Sequence, residues 1–194
     1  MKKLTLYLIL PLLLFTLLAP AFAAPVVHEA PTVSAVEQGE FVLTATAPDG
    51  SVLWEEQLHN AFADEGEQQI LDVYLRGATA PTQFYLRLFN DTPVETDTLA
   101  DLTGEPSGSG YSPSLIERSA TGWPTLALDS GDYQATSSAE TFTASGGSIG
   151  PVTYAVIATS SDNTGKLIAY AALSQSRTLA DGESLTVTYK LKQQ

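Results

Sequence analysis

The stretch VTYAVIATSSDNTGKLIAYAAL (residues 152–173) indicates the fold most clearly. Its two ends, Val152 to Thr159 and Lys166 to Leu173, contain the β-branched and aromatic residues that are typical of strands. Between them, Asp162-Asn163-Thr164-Gly165 has the composition of a turn. Val152 to Thr159 and Ile168 to Ala172 are apolar on both faces, so we predict that they are central strands of a sheet.

Shorter runs with strand composition lie on both sides of this stretch. Many short strands, separated by turns rich in Gly, Asp and Ser, are typical of a sandwich or a barrel. We therefore predict an all-β fold: an antiparallel β-sandwich or jelly-roll-like domain with one short helix. The further strands that we predict are Gln83–Asn90, Leu115–Arg118, Thr125–Leu128, Tyr133–Ser137, Glu140–Ala144 and Ser184–Leu191.

An N-terminal hairpin is predicted over residues 40–58. Phe41 and Leu43 fall on one face of its first strand, because successive side chains of a strand point to opposite faces. The sequence Pro48-Asp49-Gly50-Ser51 then supplies turn residues, and Gly50 tolerates the positive φ of a tight turn. A second strand follows and completes the hairpin.

One short helix is predicted over residues 64–77. Asp64 can cap its N-terminus, and the acidic residues that follow suit the positive end of the helix dipole. Gly77 is a typical residue for ending a helix. The apolar residues recur at helical spacing and fall on one face: Ile70, Leu71, Tyr74 and Leu75.

Residues 1–23 have the pattern of a secretory signal peptide. Lys2 and Lys3 precede an apolar run, and Ala21-Phe22-Ala23 supplies the small residues of a cleavage site. The alternative is an uncleaved membrane anchor, which needs roughly 20 apolar residues. The run reaches that length only if Pro20 to Ala24 are counted, so we expect cleavage after Ala23. We expect export to the periplasm, the cell surface or the medium.

The segment that follows, residues 24–39, is rich in Pro, Val and Ala. This composition predicts an extended linker or arm. It leaves residues 40–194 as a single β-sandwich domain.

The composition is strongly acidic, with nine basic against 22 acidic residues and a net charge of −13. Loss of Lys2 and Lys3 with the signal would leave only seven basic residues. Nucleic acids and anionic membrane surfaces are bound mainly by Lys and Arg, so we expect neither as a partner. A membrane would be contacted only through the N-terminal segment, if that segment stays uncleaved. The chain has no Cys, which excludes thiol catalysis and Cys-based zinc sites.

The residues that could carry chemistry form no recognisable site. His28 and His59 are distant in sequence and lack a third ligand. No G-x-S-x-G motif accompanies His59 to indicate a serine hydrolase. Four acidic residues offer oxygen ligands for calcium, but their spacing matches no calcium loop: Asp91, Glu95, Asp97 and Asp101. We predict no catalytic, cofactor-binding or metal-binding residue and no cofactor.

The two tryptophans, Trp54 and Trp123, allow two interpretations. Exposed and coplanar aromatic rings would provide a platform for stacking sugars. Aromatic side chains more often pack in a core or an interface, so we expect a packing role here.

Several short motifs occur in the same order as in a known family. They are Ala47-Pro48-Asp49-Gly50, Leu53-Trp54-Glu55-Glu56, Asn90-Asp91-Thr92-Pro93, Gly108-Ser109-Gly110-Tyr111 and Lys166-Leu167-Ile168-Ala169-Tyr170. This ordered set resembles a family of tailed-bacteriophage virion structural proteins, variously described as head-decoration, minor structural or tail-fibre-like proteins. The resemblance covers about residues 40–192.

The resemblance implies a non-enzymatic β-sandwich that self-assembles or decorates a larger assembly. Its partners would be copies of itself or other structural proteins. It also implies a place in the virion, which agrees with the N-terminal segment only if the start is mis-assigned. The alternative is an exported binding module for carbohydrate or a cell surface. An assembling module should expose a free strand edge or an arm, for which the hairpin 40–58 and the preceding arm are the candidates.

Overall fold

The computed structural model describes residues 38–193, which form two antiparallel sheets packed face to face. The predicted all-β sandwich with one short helix is confirmed. The first sheet, sheet A, contains β1 (Gln38–Thr46), β2 (Val52–His59), β6 (Thr125–Asp129), β7 (Asp132–Thr136), β8 (Glu140–Thr143) and β11 (Ser184–Lys192). The second, sheet B, contains β3 (Ala61–Phe62), β4 (Gln83–Phe89), β5 (Ser114–Glu117), β9 (Ile149–Ala158) and β10 (Leu167–Leu179).

The strand order differs from the order in sequence in both sheets. Sheet A runs β2-β1-β11-β7-β6, and β8 pairs with the first half of β11. Sheet B runs β3-β10-β9-β4-β5. The N- and C-terminal strands β1 and β11 are therefore neighbours, with Gln38 opposite Lys192.

The interior between the sheets is filled by alternate residues of the long strands. Phe41 and Leu43 of β1 and Val187 of β11 point inward from sheet A, where they meet Leu86 and Ile157 of sheet B. All five side chains are buried. The period-2 apolar pattern of β1, predicted from the sequence, is thus the inner face of sheet A.

A second apolar cluster covers the outer face of sheet B. Val156 of β9 and Leu167 of β10 pack there with Leu99 and Leu102 from the loop after β4. This second cover explains why the stretch that begins at Val152 is apolar on both faces. The prediction of central strands is confirmed, since β9 and β10 both lie inside the order of sheet B.

The predicted hairpin over residues 40–58 is also confirmed. β1 and β2 pair along their length, and the turn is closed by a hydrogen bond from the Ala47 N–H to the Ser51 carbonyl oxygen at 2.8 Å. Gly50 has φ +84°, as its place in the turn required. The strand begins earlier than predicted, because Gln38 and Gly39 pair with Lys192 and Leu191 and so belong to β1 rather than to an arm. The signal (1–23) and residues 24–37 lie outside the described residues.

The helix α1 spans Asp64–Leu75, within the predicted range. One detail of the prediction is wrong, the residue at the N-cap. The N-cap position is occupied by Ala63, and Asp64 is already helical. The apolar face is largely exposed, with Leu71, Tyr74 and Leu75 open to solvent. The helix instead contacts β10 through Gly66, its one buried residue.

The later strands match the predicted ranges to within a few residues, except for β10. This strand continues to Leu179, with irregular pairing to β9 beyond Ala172. A 3₁₀ turn at Leu99–Asp101, inside the long loop, was not predicted. No helix among residues 38–193 is long and apolar enough to cross a membrane.

Candidate functional site

Three of the four acidic loop residues, Asp91, Asp97 and Asp101, accept hydrogen bonds from nearby backbone N–H groups. Asp91 accepts a hydrogen bond from the Gly104 N–H at 2.7 Å. Asp101 accepts the N–H and hydroxyl of Thr98, and these bonds lower the pKa of Asp101. Within residues 38–193, no group of three His, Cys, Asp or Glu side chains could hold a metal. His59 is exposed at the end of β2, and His28 lies outside the described residues.

Both tryptophans pack against the interior cluster, so they do not form a platform for sugars. Trp123 lies edge-on to Phe84, with ring centroids 5.8 Å apart. The guanidinium of Arg177 covers Trp54 at 4.4 Å from the ring centroid. The packing role expected for aromatic residues is therefore the one observed.

Arg87 of β4 is the most deeply buried charged residue described, with 1% of its surface exposed. Its Nε donates to Glu105 Oε1 at 2.9 Å and its Nη1 to the Asp162 carbonyl oxygen at 2.9 Å. Its Nη2 donates to the side chain of Asn163 at 2.8 Å and also to Glu105. One side chain thus holds the loop after β4 and the β9–β10 loop against sheet B.

Tyr111 completes this network from the far end of the long loop. Its hydroxyl donates to Glu105 Oε1 at 2.7 Å and accepts the Leu88 N–H at 2.9 Å. Burial, together with the Glu105 carboxylate, raises the pKa of Tyr111 far above its ordinary value. The tyrosine therefore stays neutral and acts as a fixed hydrogen-bond donor.

Two further carboxylates connect separate elements. Glu65 in α1 accepts hydrogen bonds from the Leu99 and Leu167 N–H groups and from Lys166 Nζ. Burial opposes its ionisation, but these donors outweigh burial and lower the pKa of Glu65. The charged form therefore holds the helix, the 3₁₀ turn and β10 together.

Glu56 of β2 connects the two sheets in a similar way. It accepts the N–H and hydroxyl of Ser174 and the guanidinium of Arg177, all from β10. Here too burial opposes ionisation, while these hydrogen bonds and the charge of Arg177 lower the pKa of Glu56. These perturbed carboxylates bind the protein's own backbone and cations, so their charge fixes separate elements of the fold to one another.

The β6–β7 hairpin presents the most exposed apolar strand surface. Leu126, Leu128 and Tyr133 expose 71%, 63% and 60% of their surface. All five residues of β6 are exposed. β6 pairs with β7 on one side, and on its other side it is the last strand of sheet A. An edge of this kind, apolar and unpaired, is a template for pairing with another chain.

The exposed residues of this hairpin continue the inner face of sheet A. Leu191 of β11 packs against the interior cluster. It lies opposite Ala135 of β7, which in turn lies opposite Leu126 of β6. Residues that face each other across a pair of strands share one face of the sheet. Leu128 and Tyr133 are two residues further along the same face, beyond the reach of sheet B.

The other sheet edges are charged, short or covered. β2, from the predicted hairpin, does lie at the edge of sheet A, but it carries Glu55 and Glu56 and is bridged to β10. β3 has only two residues. β5 is backed by the turn around Gly122, where an added Cβ would lie only 2.0 Å from the Glu117 carbonyl oxygen. The candidate functional surface is therefore the outward side of β6, Thr125–Asp129, which we call the β6 edge.

A comparison with known families identifies the class of protein. The family described as Podophage GP4 fiber I protein gp80 matches residues 61–191, more than half of the chain. The chain belongs to this fibre family. The tailed-phage structural resemblance is thereby confirmed at the level of a phage structural protein, and the match specifies a fibre. No curated protein matches the chain.

The fibre-family match extends from β3 to β11. It includes the Arg87 network, α1 and the β6 edge. Sequence reasoning missed Arg87 and the β6 edge as important features. The sequence marks only their local features, an Arg within an apolar strand and two leucines on a short strand beside a Ser-Gly turn, and not the burial or the edge position.

Proposed function

We propose that this chain is a non-enzymatic structural protein of a phage fibre, which associates with copies of itself or with other structural proteins. The observation that carries the proposal is the β6 edge, an unpaired apolar strand in a chain of net charge −13. Solvated charge keeps such a chain apart from non-specific neighbours, whereas a free edge without charge from Thr125 to Leu128 favours specific pairing.

The distribution of buried charge supports a structural role over a catalytic one. An enzyme of this size would be expected to gather perturbed carboxylates in a cleft, free to meet a substrate. Glu56, Glu65 and Glu105 instead bind Arg, Lys and backbone N–H groups that tie loops and strands together. The charge and hydrogen-bonding capacity of these carboxylates are satisfied by groups of the protein itself.

The packing of the two tryptophans also supports the fibre role over an exported sugar-binding module. That alternative needs exposed coplanar aromatic rings, and Trp54 and Trp123 pack against the interior. We propose that residues 1–23 are absent from the working fibre protein, either removed as a signal or lying upstream of the true start.

Light scattering on the protein expressed from the full chain tests the assembly part of this proposal. We expect a mass at least twice that of the monomer, increasing with concentration, because the β6 edge has no partner within the described fold. A mass that stays at the monomer value at high concentration would contradict self-association.

A further inference from the structure

We propose that the β6 edge pairs antiparallel with the β6 edge of a second copy, about a two-fold axis at Ala127, so that sheet A becomes continuous across the dimer. This inference rests on the proposed structural role and specifies the contact through which the copies meet. It follows from the direction of the backbone groups, the sequence of β6 and its charges.

The backbone groups on the free side of β6 belong to its two leucines. The hairpin turn is the two-residue loop Ser130-Gly131, with φ of 55° and 102°, and Asp129 faces Asp132. In a two-residue hairpin the flanking residues form a hydrogen-bonded pair, and such pairs then alternate along the strands. Ala127 therefore points its N–H and C=O toward β7, whereas Leu126 and Leu128 point theirs outward.

The sequence of β6, Thr-Leu-Ala-Leu-Asp, is nearly symmetric about Ala127. Antiparallel pairing about this residue places Leu126 opposite Leu128 of the second copy, and Leu128 opposite Leu126. Each leucine pair then exchanges its outward N–H and C=O groups as a hydrogen-bonded pair. The same patch meets itself, as a two-fold interface requires.

The charges favour this register over the alternatives. It places Asp129 opposite Thr125 of the second copy, whose hydroxyl can donate to the carboxylate. Parallel pairing in register would place Asp129 against Asp129, and like charges directly opposite each other are destabilising. Lys192 lies 3.3 Å from Asp129 and 3.9 Å from Asp132, so the acidic tip of each hairpin is already partly neutralised.

The other long free edge suits a second copy poorly. β2 presents the exposed Glu55 close to its centre, so two β2 edges would bring two such carboxylates together in a chain that is already strongly acidic, and the neighbouring Glu56 is engaged with Ser174 and Arg177 of β10. The β6 edge is uncharged from Thr125 to Leu128. A second copy therefore meets less electrostatic repulsion at β6 than at β2.

The cysteine-free chain allows a direct test of this register. Residues facing each other in a non-hydrogen-bonded pair have Cα atoms about 4.5 Å apart, which is within the range that a disulfide can bridge. An Ala127→Cys variant should therefore form a disulfide-linked dimer under mild oxidation, read on a non-reducing gel. Leu75→Cys is the matched control, because Leu75 (70% exposed) is as accessible as the strand leucines but lies on α1.

A second variant tests the role of the backbone. Adding Leu126→Pro to Ala127→Cys removes an outward N–H while leaving the β6–β7 hydrogen bonds in place, since proline is tolerated on an edge strand. We expect at least about a tenfold slower cross-linking, given the cross-strand energies lost.

The outcomes separate this inference from the proposed function. Pairing at β6 is supported if Ala127→Cys cross-links faster than Leu75→Cys and if adding Leu126→Pro removes this difference. Equal cross-linking at both positions, or no effect of Leu126→Pro, would overturn it. If light scattering shows oligomers while Ala127→Cys does not cross-link, the edge pairing is wrong and the structural role stands. If light scattering also shows only monomer, self-association fails as well.

Discussion

Replacing Arg87 with methionine should lower the free energy of unfolding by about 3–5 kcal/mol, the cost of breaking a buried ion pair on one side. The variant leaves Glu105 partly buried without its guanidinium. It also leaves the Asp162 carbonyl oxygen and the Asn163 side chain without their donor. The measurement is urea unfolding followed by tryptophan fluorescence, which Trp54 and Trp123 make possible.

A matched control for Arg87 is Arg76→Met. Arg76 forms an ion pair with Asp72 one turn away on α1, at 2.9 Å, but its side chain is largely exposed. Surface pairs of this kind contribute about 0–1 kcal/mol, so the control should unfold almost like the parent chain. Equal losses for Arg87→Met and Arg76→Met would contradict the structural role of the buried network.

A double variant, Arg87→Met with Glu105→Met, sharpens the interpretation. Removing both members of a buried pair is commonly less costly than removing one, since no buried charge stays unpaired. The double variant should therefore be more stable than Arg87→Met alone. If it is less stable by the sum of both single losses, the two residues act independently.

Gly66→Ala should destabilise the protein by about 1–3 kcal/mol, the usual cost of forcing extra atoms into a packed contact. A Cβ at Gly66 would lie 2.2 Å from the Ile168 carbonyl oxygen and 2.8 Å from its Cα, both backbone atoms that cannot rotate away. This prediction runs against helix propensity, by which alanine is favoured over glycine by about 1 kcal/mol.

The control for Gly66 is Gln68→Ala, at an exposed position of the same helix. It changes propensity without touching β10, so we expect a change within about half a kcal/mol in either direction. Thermal unfolding by circular dichroism compares the two. A Gly66→Ala variant that melts at or above the parent temperature would contradict the close contact of α1 with β10.

The sequence predicts the strands well where apolar residues follow a clear pattern. In β1, Phe41 and Leu43 fall on one face of the strand, and the turn at Gly50 fixes the hairpin register. The two-faced apolar composition after Val152 correctly indicates central strands. These features depend on neighbours in sequence, so local patterns are sufficient to predict them.

The sequence does not predict what depends on distant partners. Arg87 alternates with the inward-facing Leu86 and Leu88, so the strand pattern places it on the outer face of sheet B without showing whether anything covers it there. Its burial depends on two loops, around Glu105 and Asp162, that fold over sheet B. The exposed face of α1 has the same cause, because apolar spacing predicts a helix without showing whether anything covers it.

The β6 edge could not be located from the sequence for a related reason. Leu126 and Leu128 have the alternation of a half-buried strand, and the free-edge candidates from the sequence were the hairpin 40–58 and the arm before it. Which strands end a sheet is decided by strand order, and β11 returns from the end of the chain to lie between β1 and β7. Local composition carries no signal for that order.

Mass spectrometry of purified phage particles tests the central claim most directly. If the chain is a structural protein of a fibre, peptides from residues 38–193 should be found in intact particles. Its N-terminal peptide there should begin at or after Ala24, since we propose that residues 1–23 are absent from the fibre protein. Recovery of these peptides only from the cell envelope, with none in the particles, would contradict the fibre role and favour an exported binding module.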